Sequence, residues 1–441
     1  MKKSLSAILA ASSLIFAESY QVNTLSAKQW GMAHTGAGLK LGAESMNFNP
    51  GAMSFLDKRL DVSAGVTFII PEVEIIAEGV KTTNTNVGTP MYFYAAYGIT
   101  NRLSAGISFT TPYGNAADYG KDWPGAGLLQ DIELKVFALQ PTVAFKFFDK
   151  ISIGGGPAIY FGGSFEQSKL LIPAGVLPYP VSATFSGDAD VVVAAHFGIL
   201  YDLLPNKFSL GISYRSEATM KVEKGKVTGT EDITALNNMI GSVDPASRLP
   251  IPTLEKGNFS AELPLPANLN TGISFRPTDN LLLAFDLQMI FWGTYNKLVL
   301  NFTDVTVPFE HPQYGPIDAP FTSQTSQKNY DNVFTYRLGA QYTLIPQLDL
   351  RLGVYYDESP VTDDYLTPES PSTDKFGTTV GFSYRPIPNL SIDASFGYSN
   401  GSGLLGRDAT SGSNPDKEGD GLNARYEVQA WVPAVGVSYS F

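Results

Sequence analysis

The chain contains no cysteine. That excludes a disulfide framework, thiol catalysis and a Cys-type zinc site, and it fits an oxidising periplasm, where stray thiols are a hazard. Charge is also scarce: charged residues are 16% of the chain, against roughly 25% in an ordinary soluble domain. Cations are the scarcer sign, 30 Lys and Arg against 42 Asp and Glu, and the net charge of −12 argues against nucleic acid, which needs a basic face. Only three histidines occur, His34, His196 and His311. They share no metal-ligand spacing, so no metal or cofactor is implied. Beyond the first 19 residues no run of 18 apolar residues appears. A mature chain that crosses a membrane must therefore do so as a closed barrel, which pairs every backbone N–H and C=O between strands.

What is plentiful suits such a barrel. Aromatics make up 12% of the chain and glycines number 42, a mixture for pleated surfaces and turns. Lys2 and Lys3 precede the apolar run Leu5–Phe16, which reads as a secretory signal over residues 1–19, with cleavage after Ala17 or Ser19. A short membrane anchor is disfavoured because the run is well under the ~20 residues of a spanning helix.

Strict alternation dominates the remainder. In Leu348–Asp357 one face carries Leu348, Leu350, Leu352, Val354 and Tyr356; the other carries Asp349, Arg351, Gly353, Tyr355 and Asp357. Phe334–Leu344 and Leu390–Ser399 split the same way. Period 2 places one face in an apolar medium and the other in a polar one. Aromatics at strand ends resemble an interfacial girdle, and short turns such as Thr100–Arg102 and Pro388–Asn389 alternate with long connections, as in transmembrane barrels. The pattern predicts an all-β, 14-stranded antiparallel transmembrane β-barrel over residues 59–441. Its strands cover about 59–76, 89–99, 103–112, 134–148, 151–167, 183–203, 208–224, 258–276, 281–302, 332–345, 348–358, 375–386, 390–400 and 424–441. A Gly-x-Ser-aromatic echo recurs at Gly106, Gly211, Gly272, Gly381 and Gly436, with Gly and Ser toward the lumen. Pro433 removes a ladder donor from the closing strand, so a bulge is expected there, or pairing in which that position faces away from its neighbour. The terminal aromatic Phe441, on an alternating strand, resembles the signal read by the outer-membrane assembly machinery.

Residues 20–58 do not alternate. They are rich in small residues, including Gly31, Gly36, Gly38 and Gly42, and end in Asn49-Pro50-Gly51 before the first strand. The economical place for such a segment is the barrel lumen, as a plug or hatch. This stretch resembles the start of FadL-type outer-membrane transporters of long-chain fatty acids, a family that also includes uptake barrels for aromatic hydrocarbons. Members carry Asn-Pro-Ala at this point; here Gly51 replaces the alanine, which is expected to loosen the turn. Tyr336-Arg337-Leu338-Gly339, Leu350–Pro360, Leu263–Ala267 and Asp286–Trp292 extend the similarity in scattered blocks.

The resemblance implies passive uptake of long-chain fatty acids or other hydrophobic compounds across the bacterial outer membrane, with no enzymatic step. Extracellular loops would capture the ligand, and the candidates are Leu170, Leu171, Ile172, Val176 and Leu177 in one loop and Ile233, Leu236 and Ile240 in another. Hatch movement would release it sideways beside a kinked third strand, here at Pro112, Tyr113 and Gly114. Alternation turns Arg215, Asp286, Gln288, Arg337, Asp349, Arg351 and Asp357 inward. Either inward Arg–Asp pairs on neighbouring strands pin the lumen and the hatch, or an unpaired Arg337 or Arg351 binds a carboxylate head bidentately. The loop acids Asp363, Asp364, Glu369 and Asp374 read as solvated. Thr303–Asp331 carries no motif. Two other functions stay open: a structural or adhesive barrel without transport, and an outer-membrane lipid hydrolase, which needs a serine beside His196.

Overall fold

The computed structural model of the chain describes residues 19–77, 79–171, 181–229, 257–311, 315–320, 322–362, 365–405 and 424–441. Fourteen antiparallel strands close into a barrel. They are β1 (Leu60–Thr67, resumed at Ile70–Ala77), β2 (Val80–Asn84 and Met91–Gly98), β3 (Leu103–Asp118), β4 (Asp131–Phe147), β5 (Ile151–Leu171), β6 (Val181–Asp188 and Val192–Leu204) and β7 (Phe208–Arg215 and Ala218–Gly229). Then follow β8 (Gly257–Leu265 and Asn268–Thr278), β9 (Leu281–Ile290 and Lys297–Thr303), β10 (Ser323–Gln327 and Val333–Ile345), β11 (Leu348–Asp357), β12 (Lys375–Ile387), β13 (Leu390–Leu405) and β14 (Ala424–Ser440). Each strand pairs with its sequence neighbours, and β1 closes on β14 through Asp61↔Ser440 to Thr67↔Ala434. The terminal pair is sealed by Leu60 and Phe441, which exchange backbone hydrogen bonds of 2.7 and 2.9 Å.

The alternation maps onto lipid and lumen as expected. Ile212, Tyr214, Ile273, Phe275, Leu338, Leu352 and Phe382 are exposed on the outer face, whereas Ser213, Ser274, Arg337, Arg351 and Ser383 are buried inside. Several strands run further on the extracellular side than the alternation suggests. There both faces meet protein or water, so the lipid-driven signal stops while the ladder continues. The Thr303–Asp331 connection itself carries a backbone hairpin, Thr306–His311 paired with Gly315–Pro320.

Pro433 produces neither expected feature. Its register with Phe396 on β13 is regular, and toward β1 its carbonyl still accepts from Phe68 N at 2.8 Å. The missing N–H instead coincides with the break in β1, where Ile69 turns away to exchange hydrogen bonds with Gly88.

Residues 19–56 lie inside the barrel. Ser26 caps the short helix Ala27–Trp30, accepting from Gln29 N, and donates to the buried Glu44 carboxylate at 2.6 Å. Ser63 of β1 donates to the other oxygen of Glu44. Asp286 of β9 accepts from Gly36 N at 2.6 Å and Ala37 N at 2.9 Å. Trp30 Nε1 donates to Val432 O. The recurring luminal glycines form the seat of this plug. A Cβ on Gly38 would lie 2.8 Å from the Gly272 backbone, one on Gly31 3.0 Å from Gly381, and one on Gly106 2.8 Å from Met46. The Gly-x-Ser echo is thus a belt of close approach between wall and plug.

His34 is buried in this seat at positive φ, with its Nε2 accepting from Leu25 N at 3.3 Å. Burial, helped by the nearby Arg337 guanidinium, holds its pKa well below the usual histidine value. A depressed histidine pKa means the undocked plug takes up a proton that the docked one refuses. Docking is therefore at full strength above about pH 6.5 and weakens as pH falls, by up to ~1.4 kcal/mol per unit. The midpoint of plug release in urea, followed by Trp30 fluorescence, is expected to drop between pH 7.5 and 5. In His34→Asn, which tolerates the same φ, that part of the slope disappears.

Candidate functional site

The lumen holds two unlike halves, separated by the plug. On the periplasmic side a polar cavity of about 430 Å³ is lined by Lys28, Lys40, Asp202, Asp349, Arg351 and Arg385. Four of these charges form two ion pairs, Lys40 with Asp202 at 2.6 Å and Arg385 with Asp349 at 2.7 Å. On the extracellular side the lining is apolar and aromatic. Tyr20, at the start of the plug, stands among Trp292 (ring centroids 4.8 Å apart), Tyr295 (6.0 Å) and Tyr113 (6.3 Å). Tyr330 packs edge-on against both Trp292 and Tyr295. The Tyr20 hydroxyl donates to the Pro264 carbonyl. Beside this cluster two narrow cavities of about 40 and 30 Å³ share Leu134, Phe165, Leu263 and Leu298 as walls. Such volumes hold little more than a water, so a lipophile gains room only where Tyr20 yields.

A buried cation borders the Tyr20 cavity. Lys328 follows the outer segment of β10, is 1% exposed, and lines the same cavity as Tyr20. Its ammonium bonds Thr367 Oγ1 at 3.2 Å and the Glu369 carboxylate. Burial alone would lower the Lys328 pKa, yet the Glu369 charge outweighs it and holds the ammonium above its ordinary range. Burial likewise opposes ionisation of Glu369, and Lys328 wins there too, holding the carboxyl below its usual value.

The wall beside Tyr20 is interrupted. β2 and β3 pair from Gly98↔Ser104 to Tyr92↔Thr110, and no further. Residues 110–117 of β3 are then all buried, with no alternation, so the strand has left the lipid-facing wall and turned inward. The plug takes the place of β2: Val22 N donates to Pro112 O and Gly114 N to Tyr20 O, each at 2.9 Å. A barrel plugged by its own N-terminal segment, with a wall strand bent inward onto that plug, is the decisive combination.

The profile of the family described as outer membrane protein transport protein (OMPP1/FadL/TodX) matches residues 8–441. The chain belongs to this family. It is 24% identical to the long-chain fatty acid transport protein of Escherichia coli strain K12 over 422 residues, covering 87% of each chain. It is 23% identical to outer membrane protein P1 of Haemophilus influenzae, covering all of both. Among solved structures it is similar to a Pseudomonas aeruginosa FadL homologue, with a TM-score of 0.76 at 21% identity, covering 96% of this chain and all of that one. The Pseudomonas putida toluene transporter TodX superposes with a TM-score of 0.71 at 15% identity, covering 94% and 98%. The protein is an outer-membrane barrel.

Within this FadL/TodX frame the candidate residues separate. Asn49 caps the 3-10 turn Pro50–Phe55 by accepting from Gly51 N at 3.0 Å, and its amide donates to Ala37 O and to Ile199 O of β6. An alanine Cβ at position 51 would come within 2.7 Å of Gly198 O and 2.9 Å of Ser152 O, so glycine permits contact with the wall. Arg337 and Arg351 do not line the apolar cavity. Arg337 donates to Gln288 at 2.6 Å, and Arg351 to Gln341 and Ser383 at 2.9 and 2.6 Å, so both arginines tie neighbouring wall strands to one another. Glu369 is partly buried and ion-paired with Lys328, not solvated. Leu170 and Leu171 end β5 as backbone; Ile172, Val176, Leu177, Ile233, Leu236 and Ile240 lie outside the described residues. His196, buried, is bonded to Gln140 and Arg215 and to no serine among the described residues. Lys328 escaped the sequence reading because it stands in a stretch with no alternation to orient it. The only available signal was a lone Lys beside Asn329 and Tyr330.

Proposed function

We propose that this chain carries long-chain fatty acids or similar lipophiles passively across the outer membrane, with the Tyr20–Lys328 cavity as its luminal binding site. The observation that carries the reading is the double role of Tyr20–Val22. The same short segment fills the apolar cavity and stoppers the gap between β2 and β3. A ligand that displaces Tyr20 thereby opens a path between Pro112–Gly114 and β2 into the bilayer, and no energy source is needed. Lys328 has three N–H donors, two of them engaged by Thr367 and Glu369, and the third suits a carboxylate head. The apolar loops capture ligand that arrives from the medium, and assembly of the barrel uses Phe441 as its terminal signal. Fatty acid transport by the E. coli relative and toluene transport by TodX both agree with an apolar, aromatic-lined cavity.

The test is uptake of labelled oleate by a strain from which this gene is deleted, with and without its restoration. Restored uptake in the complemented strain is the expected result. Equal uptake with and without the gene refutes the reading.

A further inference from the structure

The apolar cavity lies behind a second interruption of the wall. β8 and β9 pair from Thr278↔Leu281 up to Asn268↔Ile290, and again from Ser260↔Asn301 to Asn258↔Thr303. One more backbone bond, from Phe291 N to Ala267 O at 3.0 Å, extends the lower stretch; beyond it residues 261–266 face residues 292–300 without ladder pairing. Both lips are held from behind. The β8 lip pairs with β7 from Ala218↔Leu265 to Val222↔Ala261, and the β9 lip pairs with β10 from Lys297↔Gln327 to Asn301↔Ser323. The parting has two local causes. Pro264 and Pro266 bring no N–H to the β8 lip. On the other side the chain leaves the ladder to fold inward as the turn Trp292–Thr294, which delivers Trp292 and Tyr295 to the aromatic cluster around Tyr20.

Outside this parting is a hollow of about 660 Å³, rimmed by Lys221, Glu262, Lys297 and Val299 and floored by Val222 and Ala261. Val222 and Ala261 are also walls of the narrow apolar cavity behind it, together with Leu263 and Leu298. Those two leucines in turn wall the Tyr20–Lys328 cavity. Hollow, parting, apolar cavity and binding site therefore stand in a row, separated by single side chains.

The height of the parting fits a contact with lipid. Below it the exposed Ile273, Phe275, Leu283 and Phe285 mark the membrane band, and the ten residues Leu281–Ile290, tilted and rising ~3.3 Å each, cover a band of ~25 Å. The parting opens just above, where the outer leaflet becomes polar, and its rim matches: Lys221 pairs with Glu262 at 2.7 Å, and Lys297 is exposed beside them.

We propose that the parting between β8 and β9 is a lateral inlet. A lipophile already dissolved in the outer leaflet reaches the Tyr20–Lys328 cavity through it, without passing the extracellular loops. The gate side chains Val222, Ala261, Leu263 and Leu298 offer no hydrogen bonds, so the passage selects an acyl chain or small aromatic ring, with an anionic head trailing at the lysine rim. This inlet rests on the uptake reading above.

The absence of cysteine makes a reversible block feasible. Ala261→Cys is modified with a bulky methanethiosulfonate reagent, and oleate uptake is timed before modification, after it and after reduction. Val380→Cys, on the lipid face of β12, is treated identically. A severalfold loss of initial rate confined to modified Ala261→Cys, and reversed by reduction, is the expected result. An unchanged rate in modified Ala261→Cys, or an equal loss in modified Val380→Cys, overturns the inlet. A wild-type chain that imports no oleate overturns the uptake reading itself, a result separable from failure of the inlet alone.

Discussion

Replacing Lys328 with methionine is expected to weaken oleate binding about tenfold or more, because a hydrogen bond to a charged group contributes roughly 1.5–3 kcal/mol. Binding of toluene, which has no head group, should stay close to that of the wild type. The same substitution leaves Glu369, partly buried beside the cavity, without its ion-pair partner. Removing one partner of a buried ion pair costs about 3–5 kcal/mol, so Lys328→Met should also unfold at lower denaturant concentration. The double variant Lys328→Met/Glu369→Gln separates the effects. It removes the stranded charge and recovers most of the stability, yet still binds oleate weakly. Calorimetry with oleate and toluene, beside denaturant titrations of the three proteins, checks both halves. Wild-type affinity for oleate in the double variant would remove Lys328 from the site.

The second large effect is expected from Gly211→Val. A Cβ on Gly211 would fall on the Ala37 carbonyl, and the Asn49 amide lies 2.7 Å away. The wall cannot retreat, since Gly211 is laddered on both sides, to Leu200 and to Gly272. The plug must give way instead, losing the Asn49 bond to Ala37 and the Asp286 bonds to Gly36 and Ala37. Overpacking alone costs about 1–3 kcal/mol, and stranding Asp286 adds to it. The barrel should still fold, because its ladders do not pass through the plug, but it should leak. Single-channel conductance and sensitivity to large antibiotics should both rise. Gly127→Val, where a Cβ meets nothing within 4 Å, is the control and should stay closed. A Gly211→Val protein as tight as its control would mean that the belt of glycines does not seat the plug.

Much of this architecture was legible in the chain. Lipid imposes its period on every residue it touches, so strands such as Leu348–Asp357 declare both their extent and their inward face. Asp286, Arg337 and Arg351 were placed in the lumen on that ground alone, and they are there. What they do was not legible. Whether an inward arginine grips a ligand or a neighbouring strand depends on what stands opposite, and Gln288, Gln341 and Ser383 meet those two arginines through folding only.

The sequence by itself determined a plugged barrel of fourteen strands, because alternation against lipid and a run of small residues before the first strand are local properties of the chain. The β3 interruption at Pro112–Gly114 was also expected from the sequence; only the tertiary structure decided what stoppers it, where the wall parts a second time and what lies behind. Lys328 and Glu369 meet across 41 positions of sequence, Tyr20 stoppers β3 at Pro112–Gly114, and Trp292 is drawn inward beside the β8–β9 parting to meet Tyr20. Each of these joins residues that share no period and no neighbourhood. The force that brings them together, burial of aromatic surface and of one paired charge in a closed lumen, acts only once the wall has closed.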